Sequence, residues 1–304
     1  MTIIAATPAE RTRTLAALAL VGSAACWGLA TVASRSLLER LPSTTLLLIQ
    51  LPASMLLLTI LASRESRRQA AWPRLLRAAW PGVLEPGLAY AIGLAGLSLT
   101  SAGHAAVIGS AEPMFIVLLG WLLLGQRPDS RLIACLLATM LGLLLISTQG
   151  AETGGSTTSL TGDLLIVLAT LLAAGYVLAS AKLAGHHPPA SLALVQQGAG
   201  LLFVLVLQAV LVSAGLASPP WAELDAALVA QAALSGVLQY ALPFWLYLIG
   251  LRWLNAASAG LYLALIPVFG LMAAFVWLGE RPTPGMLLGA ALILTVVVLG
   301  RRHA

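Results

Sequence analysis

A carboxylate deep within an apolar stretch is the side chain best placed to do chemistry in this chain. Glu112 lies nine residues into an apolar run, about 13–14 Å deep at the rise of an α-helix. An ionised carboxylate at such a depth in a membrane is costly unless it meets water or a partner. Glu112 is therefore expected to hold an ammonium group or to carry a proton. The alternative is a neutral carboxylic acid that is hydrogen-bonded to a neighbouring helix.

Glutamines and aromatic residues occupy other apolar stretches and could surround the same space. Gln50 and Gln197 lie in stretches that match each other, which suits either two amides facing a central cavity or ordinary hydrogen bonds between helices. Rings at comparable depth suit an aromatic or cationic molecule through stacking and cation–π contact. Hydroxyl groups that bridge packed helices are the alternative. The rings concerned are Trp27, Tyr90, Tyr176, Tyr240 and Tyr262.

Four further residues are candidates for gating. Pro113 and Pro267 each free a backbone carbonyl inside an apolar stretch, so matched bends are expected there. Glu85 could serve a gate at the cytoplasmic side, or it could pair with a basic residue such as Arg77 or Arg127. His104 could line an entrance at the outer face, or it could be a solvated histidine at a helix end.

The elements that position these residues are ten apolar stretches, each long enough to cross a bilayer as a helix. Sixty per cent of the 304 residues are hydrophobic and 9% are charged, against roughly 25% charged in soluble domains. The sequence thus predicts an all-α integral membrane protein. The predicted spans are 14–34, 43–62, 77–99, 103–124, 132–149, 160–182, 190–214, 227–251, 256–278 and 283–300.

The second half of the chain repeats the first. Pro113-Met114-Phe115 and the ending Leu124-Gly125-Gln126-Arg127-Pro128 return, 154 residues later, as Pro267-Val268-Phe269 and Leu278-Gly279-Glu280-Arg281-Pro282. Five spans in each repeat force the second copy into the membrane upside down. The predicted units are residues 1–150 and 151–304, two inverted five-helix repeats around a central cavity.

The distribution of positive charge predicts the orientation. Thirteen of the sixteen Lys and Arg residues lie in loops on one side, whereas Arg35, Arg40 and Arg281 lie on the other. Because positive charge is retained in the cytoplasm, both termini are expected there, in a bacterial inner (plasma) membrane. The net charge of +5 is thus explained without binding to nucleic acid.

Motifs for catalysis and for metal or cofactor binding are missing from the sequence. It contains neither a phosphate-binding glycine loop nor a His-Glu-x-x-His pair. Its two cysteines, Cys26 and Cys135, fall in separate spans, which supports neither a disulfide framework nor a metal site. We therefore expect no enzyme activity, no cofactor and no metal.

The doubled motif, together with Trp27-Gly28 in the first span, resembles the drug/metabolite transporter superfamily, and specifically its EamA-type exporters. The chain is most similar to bacterial exporters of aromatic amino acids. The resemblance implies a ten-helix basket that exports small metabolites by alternating access, through movement of helices three, four, eight and nine.

We therefore expect a secondary transporter that exports amino acids, aromatic ones first. The alternative within the superfamily is an exporter of drugs or cationic metabolites, and an intramembrane enzyme is a remote one. The expected partners are the small-molecule substrate and membrane lipid, with the chain a monomer or a weak dimer. The motif Gly285-x-x-x-Gly289 suits internal packing or a dimer contact.

Overall fold

The computed structural model describes residues 8–38, 40–65, 72–97, 99, 108–109, 111–149, 159–216, 225–273, 275–276 and 281–300. Regular structure within these residues is helical. Two segments of five or six residues are π-helical, with one extra residue in the turn, at Val83–Leu88 and Val237–Ala241. Residues 275–276 are also π-helical. His104 lies outside the described residues, so its predicted place at an entrance is not described by this structure.

Thirteen α-helices cover most of the described residues. They are α1 (Pro8–Leu38), α2 (Ser43–Ser63), α3 (Trp72–Arg77), α4 (Ala89–Leu97), α5 (Glu112–Leu124), α6 (Ser130–Gln149), α7 (Leu160–Ala184), α8 (Pro189–Ser213), α9 (Ala226–Gly236), α10 (Leu242–Leu251), α11 (Ala256–Leu263), α12 (Ile266–Ala273) and α13 (Pro284–Gly300).

The composition of these helices matches a membrane protein. Six helical stretches of the described chain are long and apolar enough to cross a bilayer, and three shorter apolar helices accompany them. Apolar side chains also cover the outside of the protein: Leu56, Leu123 and Leu160 are 70% or more exposed. Such a surface is stable against lipid and not against water. Each predicted span contains helix, and the number of crossings stays a prediction.

Helix contacts recur when each helix is exchanged for its counterpart in the other half. α1 packs against α10 and α12, and its counterpart α7 packs in the same way against α4 and α5. α2 packs against the second π segment, and its counterpart α8 packs against the first. Two further large contacts join counterparts to each other, α2 with α8 and α6 with α13. In addition, α2 packs against α9 and α5 packs against α11. The packing is thus what two related halves would produce.

One pair of counterparts shows the relative direction of the halves. A Cβ atom at Gly142 of α6 would lie 2.8 Å from both the Gly289 carbonyl oxygen and Ile293 of α13. A Cβ atom at Gly289 would in turn lie 3.0 Å from Ile146. Gly142 of α6 thus meets Ile293 of α13, whereas Ile146, one turn later in α6, meets Gly289, one turn earlier in α13. The two helices are therefore antiparallel. Counterparts that run in opposite directions are what inverted repeats require.

A carboxylate joins the two halves at one end of the bundle. Glu65, just after α2, accepts hydrogen bonds from the backbone N–H groups of Ala190 and Ser191 at 2.9 Å each, and from the Ser191 hydroxyl at 2.7 Å. The two backbone N–H groups belong to the first turn of α8, where such donors have no partner inside the helix. Glu65 therefore caps α8 from the other half of the chain.

Candidate functional site

A cavity of about 160 Å³ lies between the two halves. Its lining combines carboxyl, amide and aromatic side chains with a few aliphatic ones. Both halves contribute, through α1, α4, α5, α7, α10, α11, α12 and the two π segments. The lining residues are Trp27, Glu85, Tyr90, Glu112, Tyr176, Val177, Gln239, Tyr247, Leu263 and Ile266. Four residues expected here from the sequence, Glu112, Trp27, Tyr90 and Tyr176, thus come together.

Two carboxylates face this small space. Glu112 is the first residue of α5, and Glu85 lies in the first π segment with extended backbone angles (φ −148°, ψ 126°) that interrupt the helix. Neither carboxylate has a hydrogen-bond or ion-pair partner in the part of the chain that the structure describes. Among the described residues, the lining also contains no Lys, Arg or His. The cavity is therefore suited to a positively charged group.

The position of Glu85 in the structure does not fit one of the two roles expected from the sequence. An ion pair with Arg77 or Arg127 was one expectation, and the described residues show none. Glu85 instead lies in the central cavity, whereas Arg127 lines a separate cavity near the end of α5. The interruption of the helix at Glu85 turns this side chain inward, away from the basic loops.

The π segments are counterparts and present matched residues to the cavity. Val83 and Val237, where they begin, are 154 residues apart, and so are Glu85 and Gln239. π-Helical turns occur often at functional sites because they redirect single side chains. Sequence reasoning gave Gln239 little weight. The signal was available, since the spacing of 154 residues that relates Pro113 to Pro267 also relates Glu85 to Gln239.

A glycine directly before each π segment allows the segment to pack closely. A Cβ atom at Gly236 would lie 2.5 Å from the Cα atom of Gln50 in α2. A Cβ atom at its counterpart Gly82 would overlap the backbone of Gln196 in α8, with the Gln196 Cα atom 2.8 Å away. Any larger residue would displace these helices. The glycines thus fix the position from which Glu85 and Gln239 reach the cavity.

Aromatic rings form a connected layer around the cavity. Trp27 makes edge contacts with Phe244 and Tyr247, at centroid distances of 5.2 and 5.8 Å. Phe244 also contacts Tyr176 at 5.5 Å. Phe244, the counterpart of Tyr90 at the same spacing of 154 residues, was not expected from the sequence. Such edge contacts stabilise the ring arrangement beyond simple burial.

Tyr90 connects this layer to the polar residues. Its hydroxyl accepts a hydrogen bond from the Gln239 side-chain N–H at 3.2 Å, and its ring contacts Tyr240 at 5.5 Å. Tyr240 is 2% exposed and supports Tyr90 from behind the lining. Tyr262 is buried in α11 and is not among the lining residues. Of the five rings predicted, three therefore line the cavity, whereas Tyr240 and Tyr262 are not among its lining residues.

Gln50 and Gln197 do not line the cavity. Gln50 donates to the Ser34 hydroxyl at 3.2 Å and to the Ser235 hydroxyl at 2.9 Å. Gln197 accepts from the Ser54 hydroxyl and donates to the Tyr240 carbonyl. Both amides join helices, which is the second of the two roles considered for them.

The structural counterpart of Gln50 is Gln196. Its side-chain N–H donates to the Ser180 hydroxyl at 3.2 Å, as that of Gln50 does to Ser34. Gln196 also accepts a hydrogen bond from the hydroxyl of Tyr176 at 3.1 Å. It therefore positions one cavity ring without touching the cavity. The sequence alignment of the repeats, which paired Gln50 with Gln197, is shifted here by one residue.

The two predicted hinge prolines occupy equivalent places. Pro113 is the second residue of α5 and Pro267 is the second residue of α12. Two residues in a turn conformation, 264 and 265, separate α12 from α11. Each proline thus follows directly on a cavity residue, Glu112 or Ile266. A change of direction at these points would alter the width of the cavity.

Metal-binding clusters are not found among the described residues. They hold no group of three His, Cys, Asp or Glu side chains that could bind a metal ion. Cys26 and Cys135 are both free thiols.

Comparison with known proteins gives a consistent picture. A model of the EamA-like transporter family matches residues 14–148 and again residues 160–300. A probable terminal-alkyne amino-acid exporter of Streptantibioticus cattleyicolor is 32% identical over 66% of this chain and 65% of its own length. An uncharacterized transporter of Archaeoglobus fulgidus is 26% identical over 70% of this chain and 71% of its own.

The fold also matches a known structure. One crystal structure, 20% identical in sequence, superposes with a TM-score of 0.75 and covers 95% of this chain and 98% of the other. At that identity the likeness shows the fold alone.

Proposed function

Because the chain belongs to the EamA-like transporter family, we propose that it exports amino acids, aromatic ones first, by alternating access. The cavity between the halves carries this proposal, since it combines two unpaired carboxylates with a layer of rings. An amino acid brings an ammonium group for the first feature and, if aromatic, a ring for the second. The name of the relative from Streptantibioticus cattleyicolor, an amino-acid exporter, supports the same substrate class.

Each carboxylate has a distinct role in this proposal. Glu112 binds the substrate ammonium, and Trp27, Tyr90 and Tyr176 contact the substrate ring. Glu85 carries a proton, because two ionised carboxylates in about 160 Å³ would repel each other strongly at low dielectric. Release of the substrate leaves that repulsion uncompensated and favours uptake of a second proton. This arrangement couples export to proton movement in the opposite direction.

The cavity has to widen to admit such a substrate. Small-molecule pockets typically enclose about 300–1,000 Å³, and this one measures about 160 Å³. Bending at Pro113 and Pro267 supplies the movement, through the helices that carry the π segments and the prolines. The protein lies in the plasma membrane with both termini in the cytoplasm, as ten spans and the charge distribution predict.

Transport in proteoliposomes tests the proposal. The purified protein is reconstituted, and efflux of radiolabelled phenylalanine is compared with that from protein-free vesicles. We expect saturable flux that depends on the protein and responds to an imposed pH gradient. Asp163→Asn serves as a matched control, because it converts a carboxylate outside the cavity lining into an amide. Absence of protein-dependent flux for every amino acid tested would refute the proposal.

A second candidate is favoured by one specific observation. An amino acid also carries a carboxylate, and the described residues of the lining offer it amide and hydroxyl groups but no basic side chain. An organic cation or amine needs no such partner. Competition distinguishes the two, since organic cations without a carboxylate would displace phenylalanine, or be exported in its place, only under this alternative.

A further inference from the structure

A second and larger cavity lies where α5 ends and α6 begins. It measures about 380 Å³, and none of its described lining residues belongs to the central cavity. Gly125 ends α5 in the left-handed conformation (φ 66°), which glycine adopts without strain. The turn directs the next residues across the mouth of this cavity. Its other boundary is the start of α11, at Asn255 and Ser258.

Two arginines lie at the mouth of the cavity. Arg127 and Arg131 both line it, are exposed, and form no hydrogen bond or ion pair with any residue that the structure describes. Asp129 lies between them. One of its carboxylate oxygens accepts the N–H of Leu132 at 2.7 Å and so caps α6. The guanidinium groups are therefore available to a ligand.

The inner part of the same cavity is apolar. Val117 of α5 and Leu261 of α11 line it, and together with Leu136 of α6 they form a small buried cluster. The cavity thus runs from a basic mouth to a hydrocarbon-like floor between three helices. A soluble anion would match only the mouth, whereas a phospholipid matches both parts, with its phosphate at the arginines and an acyl chain along the helices.

The counterpart of this region shows which features the fold requires. Thr283 occupies the position of Asp129, and its hydroxyl accepts the N–H of Met286 at 3.3 Å, so the helix cap is retained. Arg281 corresponds to Arg127, but Gly285 replaces Arg131. The second arginine is therefore dispensable for building the turn. Its presence in the first half alone accords with the excess of positive charge on the side expected to be cytoplasmic, and the side chain there faces the cavity.

We propose that this cavity binds one anionic phospholipid of the cytoplasmic leaflet, with the headgroup phosphate held between Arg127 and Arg131. The choice of leaflet rests on the orientation proposed above. Lipid binding is measured without any transport, so this inference and the proposed export activity succeed or fail independently.

Binding of defined lipids to the purified full-length protein in detergent tests the site. Native mass spectrometry gives apparent dissociation constants for dioleoylphosphatidylglycerol and for the zwitterionic dioleoylphosphatidylcholine. The double variant R127Q/R131Q should bind phosphatidylglycerol about 25-fold more weakly, at roughly fivefold for each arginine lost near a phosphate. R281Q, the counterpart on the other side, should stay within about twofold of the wild type.

Accessibility of Cys135, which lines this cavity, gives a readout at the site itself. In a Cys26→Ser background, alkylation of Cys135 should be several times slower in nanodiscs of phosphatidylglycerol than in those of phosphatidylcholine. The R127Q/R131Q variant should remove the difference. Circular dichroism and size-exclusion profiles like those of the wild type show that the variants remain folded.

Three results would overturn the inference. One is equal affinity of the wild type for the two lipids, and another is an equal loss in R281Q and in the double variant. The third is displacement of phosphatidylglycerol by inorganic phosphate at similar concentration, which would make this a site for soluble phosphate. Failure of phosphate to compete, together with the lipid-dependent protection of Cys135, supports the phospholipid.

Discussion

The two halves of this protein share their architecture and differ in their charge. Each half has a glycine before a π segment and a proline at the start of a helix beside the cavity. The first half places Glu85 and Glu112 at the cavity, whereas the same positions in the second half hold Gln239 and Ile266. The features common to both halves build the cavity, and the first half alone supplies its acidic groups.

The difference also explains why the carboxylates stand out from the structural residues. A carboxylate needed for folding would be expected in both copies, because both copies fold in the same way. Glu112 has an isoleucine as its counterpart, and that isoleucine lines the same cavity. The fold therefore tolerates an apolar side chain at this position, which supports the role in substrate binding proposed for the Glu112 carboxylate.

Loss of the Glu112 charge should have the largest effect. Glu112→Gln keeps the size of the side chain and removes the ionic partner proposed for the substrate ammonium. Removal of one member of a desolvated charge pair costs about 2–5 kcal/mol, so transport efficiency should fall by about 100-fold. Phenylalanine flux in proteoliposomes measures this loss, with Asp163→Asn as the control. Transport within threefold of the wild type would show that Glu112 does not contact the substrate.

Alanine at Gly82 should have the next largest effect, on stability. The new Cβ atom would overlap the backbone of Gln196, and overpacking of this kind costs about 1–3 kcal/mol. Gly236→Ala should destabilise the other half in the same way, against Gln50. Thermal unfolding in detergent measures both, with Gly185→Ala as a control because no atom lies within 4 Å of its Cβ position. An unchanged Tm for both variants would contradict the close packing of the π segments.

Exchange of Glu85 and Gln239, the matched residues of the two π segments, tests whether the acidic group can come from either half. Glu85→Gln alone should lower pH-gradient-driven transport about tenfold, which is roughly 1.4 kcal/mol. The double variant Glu85→Gln/Gln239→Glu restores one carboxylate to the same cavity from the other half. We expect it to recover to within about threefold of the wild type. No recovery in a double variant that remains folded would show that the acidic group has to come from the first half.

Substitution of the matched glutamines, Gln50 and Gln196, should have the smallest effect on transport. It should also distinguish the roles of the two residues. Gln50→Leu and Gln196→Leu each remove hydrogen bonds between helices, worth about 1 kcal/mol or less in membranes. Only Gln196 also holds the hydroxyl of the cavity residue Tyr176. Gln196→Leu should therefore raise the KM for phenylalanine about threefold, whereas Gln50→Leu should leave it unchanged. Equal KM values would mean that Tyr176 keeps its position without Gln196.

The sequence predicts those features that depend on composition and on repetition. The helical stretches follow from their apolar length, and Glu112 stands out as a charge within one of them. The inward faces of the helices could not be predicted in the same way. A helix that is apolar on every side has no amphipathic pattern to reveal which side meets the cavity. Gln50 and Gln197 therefore seemed as suitable for the cavity as Tyr90, and only the packing separates them.

The π segments were also beyond sequence reasoning, for a related reason. An additional residue in one helical turn leaves no mark on hydropathy, and it rotates every later side chain relative to the earlier ones. Glu85 was consequently placed near the cytoplasmic loops. The repeat identifies Gln239 as its counterpart, although an equal spacing in the sequence does not show that the two residues face the same cavity.

The three hydrogen bonds to Glu65 limit how the molecule can change shape. They tie the end of α2 to the start of α8, so these two helices form a stationary frame for as long as the bonds persist. A conformational cycle that preserves this tie has to move other helices relative to α2 and α8, such as α5 and α12, which begin at the matched prolines. The frame formed by α2 and α8 would then stay fixed while the helices beside it move.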